Sequence, residues 1–181
     1  MYLISVYFDE NTNKIIQRMI NQVAEKTGNH FMTDNNVPPH MTISAIEARD
    51  ISVLLPVFET FKDIEAGEIQ FVSVGQFFPY VMYITPVLSE YLHNLQTRIY
   101  NAVSDIDETS VSNFYRPYSW LPHITIGKKL DDLQMKRAFA IMKDNFVPFK
   151  AKVVKIGLAK VNPHEDVMVF ELGKSGCPDK V

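Results

Sequence analysis

Two short stretches decide the architecture of this chain: PPHMTIS at residues 38–44 and LPHITIG at residues 121–127. Each reads Pro-His-apolar-Thr-Ile, and they start 83 residues apart. Alternation of polar and apolar residues indicates a β-strand, in which residues i and i+2 lie on one face. Each stretch therefore predicts a strand that presents a histidine and a threonine on one face and buries apolar side chains on the other.

The two stretches belong to a longer internal repeat. VSVG at residues 72–75 corresponds to VKIG at residues 154–157, and VMYI at residues 81–84 corresponds to VMVF at residues 167–170. The offsets of these two pairs are 82 and 86 residues, close to that of the first pair. Matches in the same order at nearly constant spacing indicate a duplicated unit.

Hydrophobic periodicity indicates which segments are strands and which are helices. Strands are predicted at residues 2–8, 37–46, 69–78, 81–88, 121–129, 149–161 and 165–173, with a turn at Asn162-Pro163. Helices are predicted at residues 11–28, 50–61, 88–104 and 131–142. The segment 105–120 is predicted to be a polar loop.

These elements predict an α+β protein, a bilobal pseudo-symmetric duplication. We expect two antiparallel sheets with helices on the outside and a central cleft. No linker rich in Gly or Ser separates the halves, so we expect residues 1–181 to form a single domain of two intertwined lobes, with one His-x-Thr motif in each lobe.

Composition narrows the class of protein. A chain of 181 residues that is 46% hydrophobic and 22% charged is typical of a globular domain. Its one cysteine, Cys177, excludes an internal disulfide and a cysteine metal cluster. Because no signal peptide or membrane span is apparent, we expect a cytoplasmic protein with no membrane partner. A pI near 5.9 argues against an extended nucleic-acid surface, but not against a small phosphate-bearing ligand.

Two histidines that face each other across a cleft suit acid–base chemistry on a phosphodiester. Histidine titrates near neutral pH, so one imidazole accepts a proton from the attacking oxygen while the other donates a proton to the leaving oxygen. We expect His40 and His123 to be this catalytic pair. The hydroxyls of Thr42 and Thr125 are expected to donate hydrogen bonds to the phosphate oxygens. This chemistry requires no metal and no other cofactor.

Further substrate contacts are predicted around the second motif. Arg116 is a candidate phosphate ligand, and Tyr118 and Trp120 are candidates for stacking on a base. Lys128, just after the motif, is expected to line the cleft. The alternatives are that the aromatic residues of this loop cover the core and that Lys128 ends its strand in solvent.

The paired motifs, His40-Met41-Thr42 and His123-Ile124-Thr125, resemble those of the 2H phosphoesterase superfamily. Its members carry two His-x-Thr/Ser motifs in a bilobal fold, and the resemblance extends from the first strand to residue 172. The superfamily includes LigT-like 2′-5′ RNA ligases and cyclic phosphodiesterases. The resemblance implies that the two histidines are the acid/base pair and the two threonines the phosphate anchors. LigT-like members often have a basic residue after the second motif, a place occupied here by Lys128.

Motifs and resemblance together predict a metal-independent phosphodiesterase. Its expected substrate is a cyclic phosphate or a 2′-5′ phosphodiester in a nucleotide or an RNA end, and the reverse reaction would be 2′-5′ RNA ligation. One alternative is a non-catalytic RNA- or nucleotide-binding module with the same fold, and another is a structural duplication that buries both histidines. We expect a monomer whose partner is a nucleotide cyclic phosphate or an RNA terminus. The roles of acid and base depend on how the substrate lies, so both assignments remain open at this point.

Overall fold

The computed structural model describes residues 1–161 and 165–173 of the chain. The strands in this part are β1 (Tyr2–Phe8), β2 (Met41–Ala48), β3 (Gly67–Phe77), β4 (Val81–Pro86), β5 (Thr109–Val111), β6 (Ile124–Gly127), β7 (Phe149–Lys160) and β8 (Glu165–Glu171). The helices are α1 (Glu10–Thr27), α2 (Phe31–Asp34), α3 (Leu55–Glu59), α4 (Glu90–Ser104) and α5 (Asp132–Asn145). Short 3-10 turns lie at Ile51–Val53 and Asn113–Tyr115. The turn predicted at Asn162-Pro163 and the lone Cys177 lie outside the described residues.

The predicted strands and long helices are confirmed, with differences in several elements. Strands β2 and β6 begin directly after His40 and His123 rather than before them, and helix α2 was not predicted. The predicted loop over 105–120 contains β5, which pairs with β2; three residues are too few to show a strand period. The helix predicted over 50–61 is divided into a 3-10 turn and α3. Pro56 lies in the first turn of α3, because a proline, which has no N–H, is tolerated at the start of a helix but not in its interior.

Strand β7 connects the two halves of the sheet. The strand order is β5-β2-β1-β7-β3-β4-β6, and β8 also pairs with β7. One edge of β7 pairs with β1, while the other pairs with β3 over residues 149–153 and then with β8 over residues 155–160. The α+β class and the antiparallel pairing are confirmed. The two expected sheets are joined in one hydrogen-bonded network because β7, with 12 residues, is long enough to pair with both β3 and β8. The division into two lobes stays a prediction.

The core lies between this sheet and the helices. Met41 and Ile43 of β2 and Ile124 and Ile126 of β6 are each at most 1% exposed, so the apolar positions of both motifs lie in the core. Helix α1 contacts both β6 and α5, and α4 contacts β2, β3 and β5. The motif strands are therefore held from one side by buried apolar packing.

Helix α5, which packs against α1, begins with a capping box. The Asp131 carboxylate accepts a hydrogen bond from the Gln134 N–H at 2.8 Å, and the Gln134 side-chain oxygen accepts one from the Asp131 N–H at 3.0 Å. We expect Asp131→Ala to lower the free energy of unfolding by about 1 kcal/mol, because an N–H of the first turn loses its acceptor. Urea denaturation measures the change. Asp132→Ala, which removes the neighbouring carboxylate but not the cap, is the control, and an equal loss in both variants would contradict the assignment.

Candidate functional site

A surface pocket brings the two His-x-Thr motifs together. It is lined by His40 and Thr42 from the first motif and by His123 and Thr125 from the second. The remaining lining residues come from α1, α2 and the segment that leads into β2: Ile20, Met32, Val37, Pro38 and Pro39. Both imidazoles and both threonines thus border one space, walled on its other side by apolar side chains.

The same backbone contact holds each histidine. Nδ1 of His40 lies 2.9 Å from the carbonyl oxygen of Pro38, and Nδ1 of His123 lies 2.9 Å from that of Leu121. A carbonyl oxygen only accepts hydrogen bonds, so Nδ1 carries the proton in both rings. Nε2 is therefore the nitrogen that gains and loses a proton, and it can act as a base when neutral or as an acid when protonated.

A β-bulge follows the threonine in each motif. In the pairing of β2 with β1 the extra residue is Ile43, and in the pairing of β6 with β4 it is Ile126. A bulge bends its strand and changes the direction of neighbouring side chains, and bulges are frequent beside active sites. The repeat therefore carries the same backbone irregularity one residue after both Thr42 and Thr125.

The first threonine is fixed from two directions. Its hydroxyl lies 3.4 Å from that of the fully buried Ser5, on the neighbouring strand. The carbonyl oxygen of Thr42 accepts a hydrogen bond from the indole N–H of Trp120 at 3.1 Å. Trp120 is only 8% exposed. This corrects its predicted role, because the indole belongs to the core, holds β2 in place and presents no open face for stacking on a base.

Aromatic rings enclose His123. Its ring centroid lies 4.7 Å from that of Phe77 and 5.5 Å from that of Tyr83, both in edge-to-face geometry. Burial lowers the pKa of His123 below its usual 6.5, although the hydrogen bond to the Leu121 carbonyl opposes the shift. The lowered pKa favours the neutral form of His123. The ring of Tyr7 lies near His40, with ring centroids 6.4 Å apart.

The tyrosine beside each histidine lies on a glycine of the repeat. A Cβ built on Gly75 would overlap the ring of Tyr83, and one built on Gly157 would be 2.6 Å from Cε2 of Tyr7. Each ring therefore occupies the space that a side chain would need. Gly75 lies in the first half of the chain and supports the tyrosine at His123 in the second half. Gly157 lies in the second half of the chain and supports Tyr7, the tyrosine beside His40 in the first half. Each motif therefore depends on a strand from the other half of the chain.

Tyr7 is held at its hydroxyl as well as at its ring. The hydroxyl donates a hydrogen bond of 2.5 Å to the carboxylate of Asp166 in β8. Burial, together with this carboxylate, raises the pKa of Tyr7 far above its usual value. The hydroxyl therefore stays protonated, and the ring remains anchored beside His40. Sequence reasoning missed both tyrosines; the signal was the glycine that recurs at the end of VSVG and VKIG.

Three predicted substrate contacts lie outside the pocket lining. Tyr118 is 92% exposed, and its ring lies 5.3 Å from that of His93 on α4. Arg116 is exposed on the same loop. Lys128 has its ammonium 5.8 Å from the ring centroid of Phe31, the residue before the lining residue Met32. Of these three side chains, Lys128 therefore has the clearest link to the pocket, at its α2 edge.

Neither a metal site nor a membrane span is found in the described part of the chain. Within residues 1–161 and 165–173, no three His, Cys, Asp or Glu side chains are grouped so that they could hold a metal ion. Over the same residues, none of the helices combines the length and the apolar character needed to cross a membrane.

Comparison with models of protein families establishes the family of this chain. Residues 10–165 match the model of the 2′-5′ RNA ligase superfamily, a span that contains both motifs. The chain belongs to this superfamily. The resemblance to the 2H phosphoesterases, inferred from the paired motifs, is thereby confirmed.

Solved structures share the fold of this superfamily member. A phosphoesterase crystal structure has a TM-score of 0.63 at 14% identity, covering 96% of this chain and 98% of that one. LigT of E. coli complexed with 3′-AMP has a TM-score of 0.62 at 13% identity, covering 94% and 97%. TT0787 of Thermus thermophilus has a TM-score of 0.61 at 13% identity, covering 97% and 99%. Comparison with curated protein sequences gives no match. At these identities the structural likeness establishes the fold alone.

The contact between Gly75 and Tyr83 yields a prediction about His123. Gly75→Ala places a methyl group where the tyrosine ring lies, so the ring must move and His123 becomes more exposed. We expect the pKa of His123, followed by NMR titration, to rise toward 6.5, and the free energy of unfolding to fall by about 1–3 kcal/mol. Gly173→Ala is the control, because its nearest atom would be the Ile64 carbonyl oxygen at 4.0 Å. An unchanged His123 titration in Gly75→Ala would show that the tyrosine does not shield the histidine.

Proposed function

We propose that this protein is a metal-independent phosphodiesterase that hydrolyses a cyclic phosphate or a 2′-5′ phosphodiester in a nucleotide or an RNA end. One observation carries the proposal: both His-x-Thr motifs border a single pocket, and each histidine has its Nδ1 held by a backbone carbonyl. Two imidazoles that titrate at Nε2 beside one space are what a proton relay across a phosphodiester requires.

Membership of the superfamily, which comprises phosphoesterases and RNA ligases, supports this reaction class. LigT of E. coli, which has the same fold, has been solved with 3′-AMP, phosphate, ATP and NADP⁺. A nucleotide is accordingly the ligand that we propose for this chain. We also propose that residues 1–181 act as a monomeric single domain of two lobes, with one motif from each lobe at the pocket.

The surroundings of His123 favour one assignment of roles. His123 is enclosed by aromatic rings and its lowered pKa favours the neutral form, so its Nε2 accepts a proton from the attacking water. The water oxygen bonds to phosphorus, and the bond to the leaving oxygen breaks as protonated His40 donates a proton to it. The Thr42 and Thr125 hydroxyls donate hydrogen bonds to the non-bridging oxygens, where negative charge accumulates. Solvent then restores both protonation states.

Ligation uses the same groups in reverse. By microscopic reversibility, the histidine that protonates the leaving hydroxyl in hydrolysis removes the proton from an attacking hydroxyl in ligation. The match to the 2′-5′ RNA ligase superfamily is the observation that favours including this direction. Water activity and the concentration of RNA ends would decide which direction prevails.

Single histidine replacements test the mechanism. We expect His40→Ala and His123→Ala each to lower kcat/KM by about 10²–10⁴-fold, because each variant lacks one of the two proton-transfer groups. The assay is hydrolysis of a panel of nucleoside 2′,3′-cyclic phosphates, ADP-ribose 1″,2″-cyclic phosphate and 2′-5′ dinucleotides. His93→Ala, on α4 and outside the pocket lining, is the matched control. Full activity in either motif variant would exclude the two-histidine mechanism, and nucleotide binding without any turnover by the wild type would favour the binding-module alternative.

The acid limb of the pH–rate profile tests the assignment of His123 as base. Below its pKa, His123 is protonated and cannot accept a proton, so kcat/KM falls as the pH falls through that pKa. Because burial lowers the pKa, we expect the acid limb below pH 6.5. Phe77→Ala removes one wall of the enclosure and should move the limb to higher pH. A wild-type limb at or above pH 6.5, unmoved in Phe77→Ala, would contradict the assignment.

A further inference from the structure

The turn between β3 and β4 carries two exposed aromatic side chains. Phe78 is 87% exposed and Tyr80 is 58% exposed. Phe77, the residue immediately before them, packs its ring on His123. Adjacent large apolar side chains in water are unfavourable in a free protein, and such clusters mark surfaces that bind a ligand or a partner.

The backbone of this turn is fixed to the strands that frame the pocket. The side-chain amide of Gln76 in β3 donates a hydrogen bond to the Pro79 carbonyl at 3.0 Å. The N–H of Leu130, three residues after the end of β6, donates one to the Tyr80 carbonyl at 3.1 Å. The turn is therefore hydrogen-bonded to the segment that follows the strand of the second motif.

An aromatic wall leads from the pocket toward this turn. The Tyr83 ring lies 5.5 Å from that of His123, and the Phe77 ring lies 4.3 Å from that of Tyr83. In the β4–β6 pairing Tyr83 is opposite Thr125, so these rings share the sheet face of the pocket. Phe78 and Tyr80 follow Phe77 along the chain, in the turn that joins β3 to β4.

The side chains of this turn suit the base of a nucleotide rather than its phosphate. Residues 76–82, QFFPYVM, contain no charged side chain, so they offer nothing to pair with a phosphate. Aromatic rings stack on the face of any base, and such stacking is tolerant of base identity. The pocket itself supplies imidazoles and hydroxyls, which suit the phosphate.

We propose that Phe78 and Tyr80 form the stacking surface for the base of a nucleotide whose phosphate lies between His40 and His123. The proposal rests on the proposed function for the identity of the ligand. It replaces the loop of residues 113–120 as the predicted source of base contacts. In that loop, Trp120 is buried in the core, and Tyr118 packs beside His93.

Calorimetric titration of a double variant tests the proposal. We expect Phe78→Ala/Tyr80→Ala to weaken the binding of 3′-AMP at least about 10-fold and to leave the binding of inorganic phosphate unchanged. The variant lacks the two rings that stack on the base and keeps the groups that bind phosphate. Tyr118→Ala, at an aromatic side chain that is even more exposed, is the matched control and should change neither affinity. Both turn side chains lie in solvent, so the urea denaturation midpoint should stay at the wild-type value.

Three outcomes would overturn the stacking surface. These are unchanged 3′-AMP affinity in the double variant, equal weakening for 3′-AMP and phosphate, and a change from dimer to monomer with no change in nucleotide binding. The last would assign the turn to contact between copies of the chain. Binding is read without turnover, so the two proposals fail separately: 3′-AMP binding that depends on the turn, in a protein that hydrolyses no diester, would support the stacking surface and reject the phosphodiesterase.

Discussion

The pairing of β7 on both of its edges is the constraint on which the relation between the two histidines depends. The motif strands β2 and β6 are separated by β1, β7, β3 and β4 in the sheet order. In a flat sheet, strands five positions apart would lie about 24 Å from each other. Because both motifs line one pocket, the sheet must curve strongly between them. Strand twist and β-bulges, such as those beside both motifs, are the features that bend a sheet.

The two motifs repeat the same local geometry in two halves of the chain. Each imidazole is oriented by the carbonyl two residues before it, and each threonine precedes a bulge. Gly75, beneath the tyrosine at His123, comes from the first half of the chain, and Gly157, beneath the tyrosine at His40, comes from the second, so neither motif is complete within its own half of the sequence. The rings of Phe77 and Tyr83 lie 4.7 and 5.5 Å from that of His123, and the ring of Tyr7 lies 6.4 Å from that of His40. The two motifs share the same backbone contact at Nδ1, and burial lowers the pKa of the His123 imidazole.

The sequence by itself determined the α+β class, the strands and long helices, the family, and the four residues that meet at the pocket. These follow from local periodicity and from a motif that occurs twice, and both can be recognised without knowing how distant segments pack. The capping of α5 by Asp131 is equally local. The three-residue strand β5 and the division of the helix around Pro56 were not determined, because short elements depend on their partners more than on their own pattern.

Only the tertiary structure decided which aromatic residues lie at the site. From sequence, Trp120 and Tyr118 were the candidates because they precede the second motif along the chain. The fold buries the first beneath Thr42, places the second beside α4, and instead brings Phe77 and Tyr83 to His123 from strands about 40 residues earlier in the chain. The physical reason is that contacts across strands are set by register and curvature, which no local pattern records.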